Sequence, residues 1–267
     1  MKIPLVSVLI ATHRERYFEE AVASALTQTW GDVEVLILAE PSTAFIGVST
    51  HLADRRVRII QATKQRGPAR NHSVGLREAR GRYVGVLNDD DVWEPNLVEI
   101  LASALEANPE AVVAFGNHHI IHENGGRDEA ATLATTARWG REALAAGLHP
   151  DIGSLAVAGT IPIASGAIFD RSAGPRSVPR IVGGSWDRYV AGRLAVTRRP
   201  AVFVPEYVAS WRQHENNLTV HRSVARSLEA PFCHAVAAAT LPGAARRTAL
   251  RALPRSLAVV GSRILRG

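Results

Sequence analysis

A chain of 267 residues with 46% hydrophobic content is long enough to bury a large core, which suits one α/β domain with at most a small appendage and excludes disorder as the main state. Its 31 Lys and Arg against 25 Asp and Glu leave a net charge of +6, which favours anionic partners such as nucleotides, phosphates or membrane surfaces without choosing among them. Cys233 is the only cysteine, which fits a reducing compartment, and with neither a leader-like amino terminus nor a run of about 18 apolar residues the expectation is a cytoplasmic protein, at most peripheral to the inner face of a membrane.

In chain order, Val6 to Ala11 reads as an apolar strand ending at Thr12, His13 and Arg14. Phe18, Ala21, Val22, Ala25 and Leu26 recur at helical spacing and predict a helix with one buried face up to about Thr29. Val33 to Leu38 is a second strand, ending at Ala39, Glu40, Pro41 and Ser42; residues 43 to 56 are poorly periodic; Val57 to Ile60 is a third. Gly67 and Pro68 open a helix from Ala69 to Ala79, and Gly81 breaks the chain before the apolar run from Tyr83. Strands alternating with helices over short connections predict a mainly parallel, doubly wound sheet flanked by helices, because parallel neighbours need crossovers. All the polar strand ends then share one edge, where open α/β sheets bind ligands.

The run from Tyr83 stops abruptly at Asn88, Asp89, Asp90 and Asp91 before Trp93 and Pro95. Three adjacent Asp cannot all be desolvated as anions unless a cation compensates them, and hard oxygen ligands suit Mg²⁺ or Mn²⁺ with phosphate oxygens and water. The competing reading is a solvated acidic turn that caps the helix from Asn96. A cap alone does not account for a His, an Arg and several carboxylates on the same edge.

Beyond it, Asn96 to Ala107 is an amphipathic helix and Val112 to Phe115 a strand. His118, His119 and His122 cluster without Cys or carboxylates at ligand spacing, so a strand with polar faces is the better reading than a metal site. The stretch from Gly183 to Asp187 opens a helix that runs to about Leu194, with Ser185 as its N-cap; Asp187 is left either to favour the helix dipole or to do other work. Val202 to Val204 and Val208 to Trp211 are short strands, followed by Arg212, Gln213 and His214. From Ser223 the chain is rich in Ala and Arg, with Arg246, Arg247, Arg251, Arg255, Arg263 and Arg266 among Leu, Val and Ile: a basic helical extension that would lie on anionic lipid, pair with another subunit, or stand solvated.

Four stretches in order resemble the family 2 glycosyltransferases of GT-A fold, over roughly residues 4 to 220. Residues 4 to 14 are similar to the family's opening strand, and Ser24 to Trp30 to the Ser-x-Leu-x-Gln-Thr-Tyr that closes its first helix. Gly67 to Asn71 with Ala79 to Tyr83 resembles the pair of motifs leading to the metal strand, and Asn88-Asp89-Asp90 occupies the Asp-x-Asp signature. Residues 124 to 155, with Gly125-Gly126 and an Ala-rich stretch, resemble the family's variable, acceptor-facing region, and Ile163 to Phe169 resembles the strand that follows it. The resemblance implies a GT-A domain over 1 to 220 with a basic helical extension over 221 to 267, and a metal-dependent, inverting transfer of sugar from a nucleoside diphosphate to an acceptor hydroxyl. It implies Asp90 as the carboxylate ligand of Mn²⁺ or Mg²⁺ with His214 approaching, Thr12, His13, Arg14, Glu40, Arg70, Asn88 and Asp89 around the nucleotide, and Asp187 as general base. Gly166 would let backbone approach the donor sugar; Asp91, Trp186 and Arg212 would lie near donor or acceptor. The sequence departs from the pattern at Asn88, at Ala39-Glu40 where the family has Asp-Asp, and at Trp186 where it has Glu. Glu40 can accept from the N3 proton of uracil or thymine, which favours a UDP or dTDP sugar, while guanine also satisfies a carboxylate. Two rivals are a nucleotidyltransferase, which would want a Gly-rich loop where Thr12-His13-Arg14-Glu15 stands, and a non-catalytic binder of nucleotide sugars or nucleic acid. Nucleic acid is disfavoured because the aromatics, 6% of the chain, form no stacking series on a basic face. The sequence names neither sugar nor acceptor.

Overall fold

A computed structural model describes residues 5–41, 43, 49–215 and 228–264. Ser42, Asn216, Asn217, the expected boundary after residue 220, and Arg266 lie outside the described residues. One nine-stranded sheet carries the chain: β1 (Val6–Thr12), β2 (Val33–Ala39), β3 (Val57–Gln61), β4 (Tyr83–Asn88), β5 (Val92–Trp93), β6 (Val113–Ile121), β7 (Gly147–His149), β8 (Ala167–Asp170) and β9 (Ala201–Arg212). The spatial order is β3-β2-β1-β4-β8-β6-β9-β5, with β7 also pairing with β9. The four strands from β3 to β4 are parallel as expected; β8 then enters antiparallel to both β4 and β6, so β6 and β9 still point the same way as β4. The C-terminal ends of β1, β4, β6 and β9 therefore open on one edge.

Helices α1 (Phe18–Leu26) and α3 (Leu97–Ala107) cover one face of the sheet. The other face carries α2 (Pro68–Glu78), α5 (Ile152–Ala158), α6 (Trp186–Val196), α7 (Glu229–Thr240) and α8 (Gly243–Ile264); α4 (Glu129–Arg138) packs beside β6. Strand β1 is covered on both faces, which is why it reads as an unbroken apolar run rather than an alternating one. In α3 the buried positions Leu97, Leu101 and Leu105 recur at every fourth residue with Val98 and Ala102 beside them, and each buried Val or Leu contributes about 1.5–3 kcal/mol. Cys233, Ala237, Ala238, Leu241, Ala245 and Ala249 of the C-terminal helices join the same apolar cluster as α5 and α6, so these helices are packed into the domain rather than trailing from it. No helix among the described residues is long and apolar enough to cross a membrane.

Three elements differ from expectation for visible reasons. Helix α1 ends at Leu26, and Gln28 leaves the helix to donate to Ser24 and Glu94 carbonyls and accept from Val98 N, tying α1 to the start of α3. The expected pair of strands around Pro205 is one strand, β9, whose register against β6 shifts near Asn117 and so accommodates the proline. The region 124–155 contains α4, β7 and the start of α5. Gly85 in β4 shapes the acidic end of that strand: a Cβ there would lie 2.7 Å from the Trp93 ring, so only glycine lets that indole lie on the strand and fold β5 back beside it.

Candidate functional site

The tight turn after β4, closed by Asp91 N donating to Asn88 O, sends its three carboxylates in three directions. Asp89 turns to the end of β1, where His13 N donates to its Oδ2 at 3.3 Å; burial, then the neighbouring Asp90 charge, raises its protonation range, while the Thr12 hydroxyl works against that rise. Asp90 turns to the end of β9, where its Oδ2 lies 3.0 Å from His214 Nε2. Asp91 turns inward, accepting from Ser165 Oγ at 2.6 Å, Asn88 Nδ2 at 2.8 Å and Arg212 N at 2.9 Å. Burial first, and Asp90 second, push the Asp91 carboxyl up to about 8. Asp91, expected near donor or acceptor, is thus an internal brace across β4, β9 and the loop before β8.

Asp90 and His214 stand on the wall of a cavity of about 230 Å³ whose other walls are Asp89 and the β1–α1 loop, Arg14 to Tyr17. The Tyr17 hydroxyl is buried with no hydrogen-bond partner among the described residues. No group of three or more His, Cys, Asp or Glu side chains among the described residues makes a metal cluster. One carboxylate and one imidazole nevertheless fit Mg²⁺ or Mn²⁺, which bind through one or two protein carboxylates and take their remaining ligands from phosphate and water. Arg212, also expected near substrate, is buried: it donates to the carbonyls of Asp90, His122 and Glu123, pairs with Glu20 at 2.6 Å, and lies 4.5 Å over the Tyr17 ring. It holds the Asp90 backbone rather than a ligand.

On the β2 side, Glu40 accepts from Arg66 N, Gly67 N and Asn71 Nδ2 at 2.7–2.9 Å, so it fixes the turn that starts α2. His13 is exposed and receives Arg14 Nε at 3.0 Å; Arg70 is exposed on the first turn of α2. Thr12, His13, Arg14, Asn88 and Asp89 are brought together at the ends of β1 and β4, with Glu40 at the end of β2, the next strand beside β1. Gly166 is glycine for another reason than the one expected: a Cβ there would meet the Pro162 ring at 2.8 Å, so its size serves the turn before β8.

Asp187 occupies the first turn of α6, half-buried, and burial holds its carboxyl above the ordinary range. Trp186 is buried and stacks on His72 of α2, ring centroids 3.6 Å apart, which brings the N-terminus of α6 beside that of α2. Ser185 is not the cap by side chain: both its N and its Oγ donate to Glu229 of α7, at 3.2 and 3.3 Å, which sets a carboxylate from the C-terminal helices beside the start of α6. His118 and His119 fall on opposite faces of β6; the former edges onto Trp211 and the latter stacks on Tyr207.

Sequence reasoning missed Ser165, Tyr17, Glu229 and Arg141. Ser165 is a non-glycine residue at φ +64°, held there by its N donating to Val86 O at 2.7 Å and its hydroxyl to Asp91. Arg141 is buried with Asn117 Oδ1 and Thr160 O as acceptors, a contact across 24 and 19 residues that no local pattern announces. Asp128 and Asp151 did carry a local signal: each accepts from the backbone N three residues on, capping α4 and α5.

The sequence model of glycosyl transferase family 2 matches residues 7–154. Among curated relatives, Glycosyltransferase GlyG of Streptococcus pneumoniae serotype 4 is 27% identical over 126 residues, 46% of this chain and 42% of that protein. UDP-Glc:alpha-D-GlcNAc-diphosphoundecaprenol beta-1,3-glucosyltransferase WfgD of Escherichia coli is 26% identical over 122 residues, 45% of this chain and 48% of that protein. The chain thus matches less than half the length of each. Among solved structures, S. aureus TarS 1–349 in complex with UDP-GlcNAc has a TM-score of 0.69 at 14% identity, covering 95% of this chain and 71% of that one. The mannosyltransferase PcManGT from Pyrobaculum calidifontis, in complex with GDP-Man and Mn²⁺, has a TM-score of 0.60 at 16% identity, covering 99% and 76%. At such identities these likenesses establish the fold, which is GT-A.

Proposed function

The chain belongs to glycosyl transferase family 2, and on that premise we propose that it moves a sugar from a UDP or dTDP donor to an acceptor hydroxyl, with inversion at the anomeric carbon. The observation that carries the reading is the 3.0 Å approach of Asp90 Oδ2 to His214 Nε2 on the wall of the 230 Å³ cavity, two polar groups from residues 124 apart in sequence. Asp90 and His214 would hold Mn²⁺ or Mg²⁺, which when bound offsets the charge developing on the departing diphosphate. Arg14 and Arg16 on the same cavity add fixed positive charge toward phosphate oxygens. Asp89, held by His13 N, and Asn88 face the ribose. Glu40 spends three of about four acceptor positions on its own turn, leaving one for the N3 proton of uracil or thymine.

Asp187 is the base. As the acceptor oxygen bonds to the anomeric carbon and the bond from that carbon to the diphosphate oxygen breaks, the hydroxyl proton passes to the Asp187 carboxylate. Its raised protonation range moves it toward neutral pH, where a general base is most effective.

The test is release of nucleoside diphosphate from a panel of UDP, dTDP, GDP and CDP sugars with Mn²⁺ or with chelator, paired with calorimetry of UDP binding. Mn²⁺ should tighten UDP binding by the parent and leave Asp90→Ala unaffected. An unchanged metal enhancement in that variant, or no nucleotide bound by the parent at all, refutes the assignment.

A further inference from the structure

The charge of this protein is not spread over it. Residues 230–267 contain six Arg and no Asp or Glu, so the whole excess of +6 resides there and the preceding 229 residues balance at 25 of each sign. The structure shows what α8 does with that charge. Ala245 and Ala249 are buried against α5 and α7, and Ala245 comes so near Gly153 that a Cβ on the glycine would lie 2.6 Å from its own. The opposite side of the helix is left outward, with Leu250 and Leu257 each 48% exposed and Pro254 between them. Arg246, Arg247, Arg251 and Arg255 are all exposed; at about 100° per residue Arg246 and Arg247 flank that apolar stripe, while Arg251 and Arg255 lie farther round the same outward arc. A single exposed leucine is ordinary on a protein surface, but α8 sets two among arginines with no acidic residue along its length, the combination that suits a lipid–water boundary: leucines for the acyl region and guanidiniums for anionic headgroups.

We infer that the outward face of α8 docks the protein on an anionic membrane surface, with Leu250 and Leu257 inserted, Arg246 and Arg247 on lipid phosphates beside them, and Arg251 and Arg255 reaching the headgroups from farther round the helix. A second copy of the chain fits worse, because a two-fold contact through this face would set arginines against arginines. Nucleic acid fits worse too, because no described aromatic side chain lies on the face to stack a base. The proposal uses no residue of the cavity at Asp90 and stands apart from the reaction assigned to it.

Co-sedimentation of the full chain with phosphatidylcholine vesicles containing about a quarter phosphatidylglycerol, and with phosphatidylcholine alone, tests it. Binding should require the anionic lipid and fall steeply as salt rises from about 0.05 to about 0.5 M. An arginine near such a surface is worth about fivefold in partition, so Arg247→Gln with Arg251→Gln should lose about 25-fold while far-UV dichroism and donor turnover stay as in the parent. Leu250→Asn with Leu257→Asn should weaken binding and leave its salt dependence unchanged. Equal binding to both vesicle types, no binding to either, a salt-sensitive dimer in place of vesicle binding, or an arginine-pair variant that partitions like the parent would each overturn the inference. The parent's own dependence on lipid charge and salt decides the matter even if a variant fails to fold.

Discussion

Replacing His72 by Phe should abolish a specific acid sensitivity of this fold. The imidazole is 4% exposed, lies flat on Trp186, and has Nδ1 2.7 Å from Pro68 O, so Nδ1 carries the proton of a neutral ring. Burial lowers its protonation from 6.5 to about 4, since a charge there would be stripped of water. The folded-state value is depressed, so the stabilisation is complete above the unfolded value of 6.5 and is lost as pH falls toward 4, where the unfolded chain takes a proton that the folded chain refuses. At about 1.4 kcal/mol per unit the full loss is about 3 kcal/mol, of which about 2 falls between pH 7 and pH 5. Phe keeps a flat ring against Trp186 and drops one hydrogen bond, a cost of about 1 kcal/mol. Urea unfolding should therefore find the parent about 1 kcal/mol more stable at pH 7 and about 1 kcal/mol less stable at pH 5 than His72→Phe. Parallel losses in both proteins between those pH values would show that His72 is not held neutral by its burial, and the reasoning would fail.

Asp187→Asn should bind nucleotide and stay folded while transfer to acceptor drops by about 10² to 10⁴, measured with saturating donor; retention within about tenfold would move the search for the base to residues 124–155. In competition against a bound donor, UDP and dTDP should displace better than CDP, and the reverse order would count against the Glu40 reading. Arg212→Met should cost at least about 3 kcal/mol in urea unfolding, because it leaves the carbonyls of Asp90, His122 and Glu123 short of donors; a loss under about 1 kcal/mol would mean that water replaces the guanidinium.

The alternation of strand and helix through Asn88 was legible because β1, β2 and β4 are covered on both faces and each helix has one apolar stripe, so the two periods contrast sharply. Within 124–155 the contrast is weak: α4 buries only Thr132 and Thr136, and small or hydroxyl side chains leave little apolar pattern to read. The acidic triplet at the end of β4 was legible, and so was the approach of His214 to Asp90. What was not legible is that the three carboxylates separate, because Asp91 is drawn inward by Ser165 and Arg212, 74 and 121 residues away. The same holds for the cap of α6. Ser185 has the right residue type at the right place, and only the fold reveals that its hydroxyl turns instead to Glu229, 44 residues on.

Strand β9 lies between β6 and β5, and it carries both Arg212 and the approach to His214. Synthesis at about 5–20 residues per second puts roughly 6 to 25 seconds between Asp90 and a partner 124 residues later. Through that interval β1 to β4 can pair while Asp91 lacks the Arg212 amide and Asp90 lacks its imidazole. The edge that carries Asp90 is completed only with the last strand. By the same logic, a nucleotide gripped by both Arg14 and His214 would bridge the earliest strand to the latest and resist the fraying of either.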